Sequence, residues 1–118
     1  MARIARITAV SVVFVLLAAG LAMADTFTCN KDTCYGTNHR DKITGTDNSQ
    51  DIFGLRRDDL LRDRAGHDRD LLSGNAGDDR LNDNDGDSRD VIRGGPGYDV
   101  CIGDRGDTFR GCEDVIKR

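Results

Sequence analysis

Gly74-Asn75-Ala76-Gly77-Asp78-Asp79-Arg80-Leu81-Asn82 and Gly94-Gly95-Pro96-Gly97-Tyr98-Asp99-Val100-Cys101-Ile102 are two nine-residue units built on one plan. In each, Gly-rich turn residues lead to an Asp, and an apolar side chain follows two positions later. Glycine reaches backbone angles barred to other residues, so such a turn can curl its carbonyls inward around a hard cation. The Asp adds a carboxylate oxygen, and the apolar residue begins a short strand that faces inward.

The same Asp-x-apolar signature echoes through the chain. Its Asp falls at Asp41, Asp51, Asp59, Asp70, Asp79, Asp90, Asp99 and Asp107. The apolar partners are Ile43, Phe53, Leu61, Leu72, Leu81, Ile92, Cys101 and Phe109, with Asp114-Val115-Ile116 as a closing echo. Successive Asp residues are 10, 8, 11, 9, 11, 9 and 8 positions apart. Gly or Asp interrupts every apolar residue within a few positions, so no helix of 3.6-residue period can be drawn. The spacing predicts an all-β fold, a parallel β-roll or β-solenoid of nonapeptide-like repeats, with two steps per coil.

Alternate turns of such a coil stack along one edge. Turns ending at Asp59, Asp79 and Asp99 are expected on the first edge, and those ending at Asp51, Asp70, Asp90 and Asp107 on the second. Both 11-residue steps then fall on the second edge. Residues 36–118 make up the repeats with a C-terminal cap, and residues 25–35 form a short N-terminal cap around a Cys29/Cys34 loop. Thr26-Phe27-Thr28 offers a first strand.

The opening residues read as an export signal. Arg3 and Arg6 precede an apolar stretch from Ile7 to Leu21, and Ala22-Met23-Ala24 has the small-x-small form of a cleavage site. The stretch is shorter than the roughly 20 apolar residues a membrane-spanning helix needs. A secreted, extracellular product with residues 1–24 removed near Ala24 is therefore expected. Losing Arg3 and Arg6 reduces the 17 basic residues to 15 against 21 acidic ones, a formal charge of −6. All but one of the acids are Asp, the exception being Glu113, and Asp with Gly suits turns and oxygen-ligand loops. The arginines are interleaved with Asp rather than gathered on a basic face, which argues against a nucleic-acid partner. Four cysteines in a short exported chain read as two disulfides with three alternative connectivities. Proximity favours Cys29–Cys34 and Cys101–Cys112. A zinc site lacks a histidine in ligand spacing.

With these residues in view, the pattern resembles the haemolysin-type (RTX-like) calcium-binding repeats of secreted bacterial proteins. The closing run from Gly94 to Cys101, with Cys112-Glu113 after it, is similar to the ending of small secreted proteins built only from such repeats. The resemblance covers residues 36–112. It implies Ca2+ held between stacked turns by turn carbonyls and repeat carboxylates. Carried onto this chain, that places one site between 74–79 and 94–99, with Asp79 and Asp99 as side-chain ligands and Gly74, Gly77, Gly94, Gly95 and Gly97 shaping the turns. Asp70 and Asp90, with Asp107 on the same edge, make a second set. The resemblance also implies folding triggered by calcium after export. Departures from the pattern are concentrated early. Arg56 and Arg57 stand in the 54–59 turn, and 63–70 and 45–51 keep few glycines. Fewer ions than repeats are expected, mostly after Leu72.

Asp83-Asn84-Asp85-Gly86-Asp87 has the look of an EF-hand loop, but with Gly86 sixth the first and twelfth positions would be Leu81 and Ile92. Asp85 and Asp87 are read evenly as calcium ligands or as a solvated acidic turn. His39 and His67 lie in polar turns, and no nucleophile elbow, metalloprotease helix or phosphate loop is present. The expectation is a calcium-binding protein without catalytic activity. The alternative is an extracellular adhesive or matrix protein, touching cell surface or matrix through its flat faces, with calcium merely structural. A detached remnant of an enzyme's repeat tail is the third reading.

Overall fold

The computed structural model describes residues 25–46, 48–63, 69–86 and 89–118; the expected export signal lies outside them. The chain forms β1 (Asp25–Thr28), β2 (Thr33–Tyr35), β3 (Asp41–Thr44), β4 (Asp51–Phe53), β5 (Leu60–Arg62) and β6 (Leu71–Ser73). It continues through β7 (Arg80–Asp83), β8 (Val91–Arg93), β9 (Val100–Gly103), β10 (Thr108–Arg110) and β11 (Asp114–Lys117). Among the described residues there is no helix. Odd-numbered strands make one six-stranded sheet and even-numbered strands a five-stranded one, each in coil order. Every pairing is parallel. The result is a β-solenoid of about five coils with two strands per coil, the architecture of a β-roll.

Strands this short exist because each coil repeats the same inward triplet. Side chains alternate across a strand, so the residue two before and the residue two after an inward apolar side chain also point inward. The register stacks Phe27, Ile43, Leu61, Leu81, Cys101 and Val115 in one sheet. The other sheet stacks Cys34, Ile52, Leu72, Ile92 and Phe109. Ile43, Ile52, Leu61, Leu72, Leu81, Ile92 and Cys101 are completely buried, and the two files form one core cluster that includes Cys29. Cys29 is bonded to Cys34 and Cys101 to Cys112, the pairing that proximity favours, and both bonds fit an oxidising environment.

The fourth strand corrects the sequence reading by one residue. Asp51 and Phe53 were expected inward; instead Gln50 and Ile52 are buried, while Asp51 is exposed. A one-residue slip moves every side chain of a strand to the opposite face. Pairing of Ile52 with Leu72 decides the register, and both Ile52 and Phe53 are apolar enough to satisfy a sequence pattern. Phe53 is displaced to the outer face, where its ring stacks on Tyr35 at 5.2 Å between centroids. Gln50 imitates the missing carboxylate. Its Oε1 accepts from the Thr46 backbone N–H at 2.7 Å, and its Nε2 donates to the carbonyls of Cys29 and Lys31. The closing echo slips likewise, because Glu113 rather than Asp114 continues the carboxylate row and Val115 pairs with Cys101.

Candidate metal centre

From β3 onward the inward residue that opens a strand is an acid, except Gln50 at β4, and each sits at a corner of the solenoid. Along the first edge the acids form a ladder. The backbone N–H of Asp41 donates to Asp59 Oδ1, that of Asp59 to Asp79, and that of Asp79 to Asp99, all at 2.8 Å. Glu113 completes the row by accepting from the Asp99 N–H. A second, outer row runs beside it, with Asp78 N–H donating to Asp58 and Tyr98 N–H to Asp78. Each inner-row carboxylate therefore satisfies a backbone donor of the preceding coil that would otherwise be buried without a partner, whereas the exposed outer row accepts from the following coil.

The turns of this edge share one backbone shape. Residues 55 and 57, 75 and 77, and 95 and 97 all have positive φ, although Leu55, Arg57 and Asn75 are not glycine. Gly77 and Gly97 are required for a further reason. A Cβ on Gly77 would run into the Arg57 carbonyl, and one on Gly97 into the Gly77 carbonyl, so backbone lies directly on backbone. Gly74 and Gly94 leave room for the carboxylates of Asp79 and Asp99, which fold into their own turns. The structure thus brings Asp79 and Asp99 to consecutive rungs, as the sequence suggests, with Gly74, Gly77, Gly94, Gly95 and Gly97 around them. One oxygen of each carboxylate is committed to the ladder. Oδ2 of Asp59, Asp79 and Asp99 is buried without a hydrogen-bond partner among the described residues. Burial pushes Asp59 up to about 7 and Asp79 to about 8, and raises Asp99 as well.

The second edge carries its own ladder. The Gln50 N–H donates to Asp70, that of Asp70 to Asp90, and that of Asp90 to Asp107. The long turns, 63–70 and 83–90, lie here. They differ from the first edge in the inward residue that closes the strand. On the even-numbered strands that position is Gly54, Gly74 or Gly94; on β7 it is Asp83, and one coil earlier it is Asp63. Gly45 and Gly103 occupy the equivalent places before and after.

Asp83 has no exposed surface, and neither of its oxygens has a hydrogen-bond partner among the described residues. Burial first, then the neighbouring charges of Asp90, Asp63, Asp85 and Asp70, push it up to about 9. Asp90 is raised to about 7, again mainly by burial. One carboxylate oxygen from each of Asp70, Asp83, Asp85 and Asp90 lies within 4.8 Å of the others. Calcium takes oxygen ligands at about 2.3–2.6 Å, so oxygens on opposite sides of one ion are roughly 4.6–5.2 Å apart. The four oxygens match that sphere, and the carboxylate-only donor set fits a hard cation.

Asp70 and Asp90, read from the sequence as a second set, are thus members of the group. Asp107 is not. One of its oxygens accepts from the Asp90 N–H and the other from the Asp104 N–H. Asp85 joins the group, and Asp87 lies outside the described residues. Asp83 was missed, having been read only as part of an imperfect EF-hand. The signal was available in period two, since Asp83 follows Leu81 as Leu81 follows Asp79. Searches against models of protein families, curated proteins and solved structures find no match to this chain.

Proposed function

We propose that this chain is an exported calcium-binding β-roll of the haemolysin-type repeat class, without a catalytic centre, whose folding is coupled to Ca2+. The observation that carries the reading is Asp83, a carboxylate sealed from solvent, lacking a hydrogen-bond partner among the described residues and converging with three others. Burying an unpaired carboxylate is costly, and the usual resolutions are a counter-charge, a metal or a proton. A hard divalent cation answers the donor set best. Asp70, Asp83, Asp85 and Asp90 would hold it; the ion would supply the positive charge that a narrow apolar interior cannot. Asp79 and Asp99, each with a buried second oxygen, offer the first edge as a further place for the same ion.

Coupling to folding follows from position. The residues of the group come from consecutive coils, so an ion that binds them ties those coils together and stabilises only the folded chain. Export suits this arrangement, because the two disulfides form in oxidising surroundings. Isothermal titration of the purified, chelator-treated protein with CaCl2 tests the reading, with far-ultraviolet circular dichroism recorded alongside. Saturable calcium binding that raises the strand signal or the midpoint of unfolding is expected. Absence of heat and identical unfolding with and without chelator would overturn it.

A further inference from the structure

The second edge departs from the first in charge as well as in length. A first-edge turn brings one buried inward carboxylate, already half engaged by a backbone N–H, beside an exposed outer-row acid such as Asp58 or Asp78. The second edge gathers four carboxylates within 4.8 Å, three of them almost wholly buried. Asp83 supplies two oxygens with no hydrogen-bond partner among the described residues, and Asp90 one. Arg89, next to Asp90 in the sequence, is exposed.

Four ionised carboxylates around one divalent ion leave a net charge of −2 in a buried place; around a trivalent ion they leave −1. Residual charge is penalised where solvent is excluded, and ligand charge count is among the means by which oxygen sites tune affinity. We propose that the Asp70–Asp83–Asp85–Asp90 group is a site for a hard trivalent cation of calcium-like size, a lanthanide-type ion, held in preference to calcium. The inference rests on the reading that this group binds a hard cation. It adds that Asp83, standing where every other strand from β3 to β9 except its neighbour β5 has glycine, sets the charge selectivity of the site.

Calorimetric titrations of the purified protein with CaCl2 and with LaCl3 test it, repeated on Asp83→Asn and on Asp51→Asn, an exposed acid outside both edges' carboxylate rows. The wild-type protein should bind La3+ at one site at least about tenfold more tightly than Ca2+. Asp83→Asn should lower the La3+/Ca2+ affinity ratio by about tenfold, and Asp51→Asn should leave the ratio of that site unchanged. A ratio insensitive to Asp83→Asn, or one that responds equally to Asp51→Asn, overturns the proposal while leaving calcium binding standing. Binding of calcium without any preference for La3+ does the same. Failure of both ions to bind overturns the calcium reading itself. Should Asp83→Asn not fold by circular dichroism, the half-buried Asp85→Asn carries the same comparison, with the same two outcomes.

Discussion

The two edges of the solenoid solve one stacking problem by different chemistry. On the first edge, backbone lies on backbone, and the tight contact is made by Gly77 and Gly97 in left-handed conformations. On the second, Gly86 has a positive φ as well, but a Cβ there would meet nothing within 4 Å among the described residues. Length and charge go with openness. The long turns begin with the buried acids Asp63 and Asp83, whereas the short turns begin with Gly54, Gly74 and Gly94. The difference teaches that a repeat can keep its ladder of carboxylates while one edge specialises in close packing and the other in accumulated charge.

The sharpest way to break this comparison is at Asp83. Asn is nearly isosteric and uncharged, so Asp83→Asn is expected to stabilise the metal-free protein by about 3 kcal/mol at neutral pH, since it removes an unpaired buried acid. The same change should weaken, without abolishing, calcium binding at the second edge, since Asp70, Asp85 and Asp90 remain. Urea unfolding of both proteins with chelator present, followed by calcium titration, reads the two effects separately. Equal stability of variant and parent would mean that Asp83 is not under strain in the metal-free fold.

Acidity provides a second test, centred on the first edge. Asp79 titrates at about 8 in the folded chain against 3.8 for the free side chain, and Asp59 at about 7. Folded values above unfolded ones mean that the folded state binds protons more tightly. Their contribution to stability is full below pH 3.8 and is lost as pH rises through 7 and 8. The metal-free protein should therefore be more stable near pH 5 than near pH 8, by on the order of a few kcal/mol. Saturating calcium should reverse that ordering, because protons then compete with the ion. Unfolding midpoints measured at the two pH values, with and without calcium, supply the check.

Alanine at glycine separates the edges by packing alone. Gly97→Ala drives a methyl group into the Gly77 carbonyl at φ +113, and a loss of about 3 kcal/mol is expected. Gly86→Ala meets only the conformational penalty of a left-handed residue, about 1 kcal/mol. Thermal unfolding of the pair measures the gap; equal losses would erase the packing distinction between the edges.

The smallest effect sharpens the comparison within the first edge. Arg57 holds the left-handed conformation that Gly77 and Gly97 adopt in the stacked turns after it. Relief of about 1–2 kcal/mol of strain in Arg57→Gly is partly offset by the greater chain entropy of glycine, so a net gain of about 0.5–1 kcal/mol is expected. Chemical denaturation resolves a change of that size. A loss instead would show that the Arg57 side chain contributes to packing that its exposed position does not suggest.

Most of this architecture is legible in the chain itself. The Asp-x-apolar signature specifies short strands and turns, because an inward acid, an inward apolar side chain and a spacing near nine are all local properties. Asp79 and Asp99 could be placed on one edge, and Asp70 and Asp90 on the other, by counting residues. Tertiary structure alone decided the rest. Whether Ile52 or Phe53 faces inward depends on the partner strand, since both are apolar and only pairing with Leu72 distinguishes them. The role of Asp83 depends on coils 20 residues apart in sequence coming into register, with Leu61, Leu81 and Cys101 in file. A carboxylate becomes sealed and surrounded by like charges only after those coils stack, and no single repeat contains the group that results.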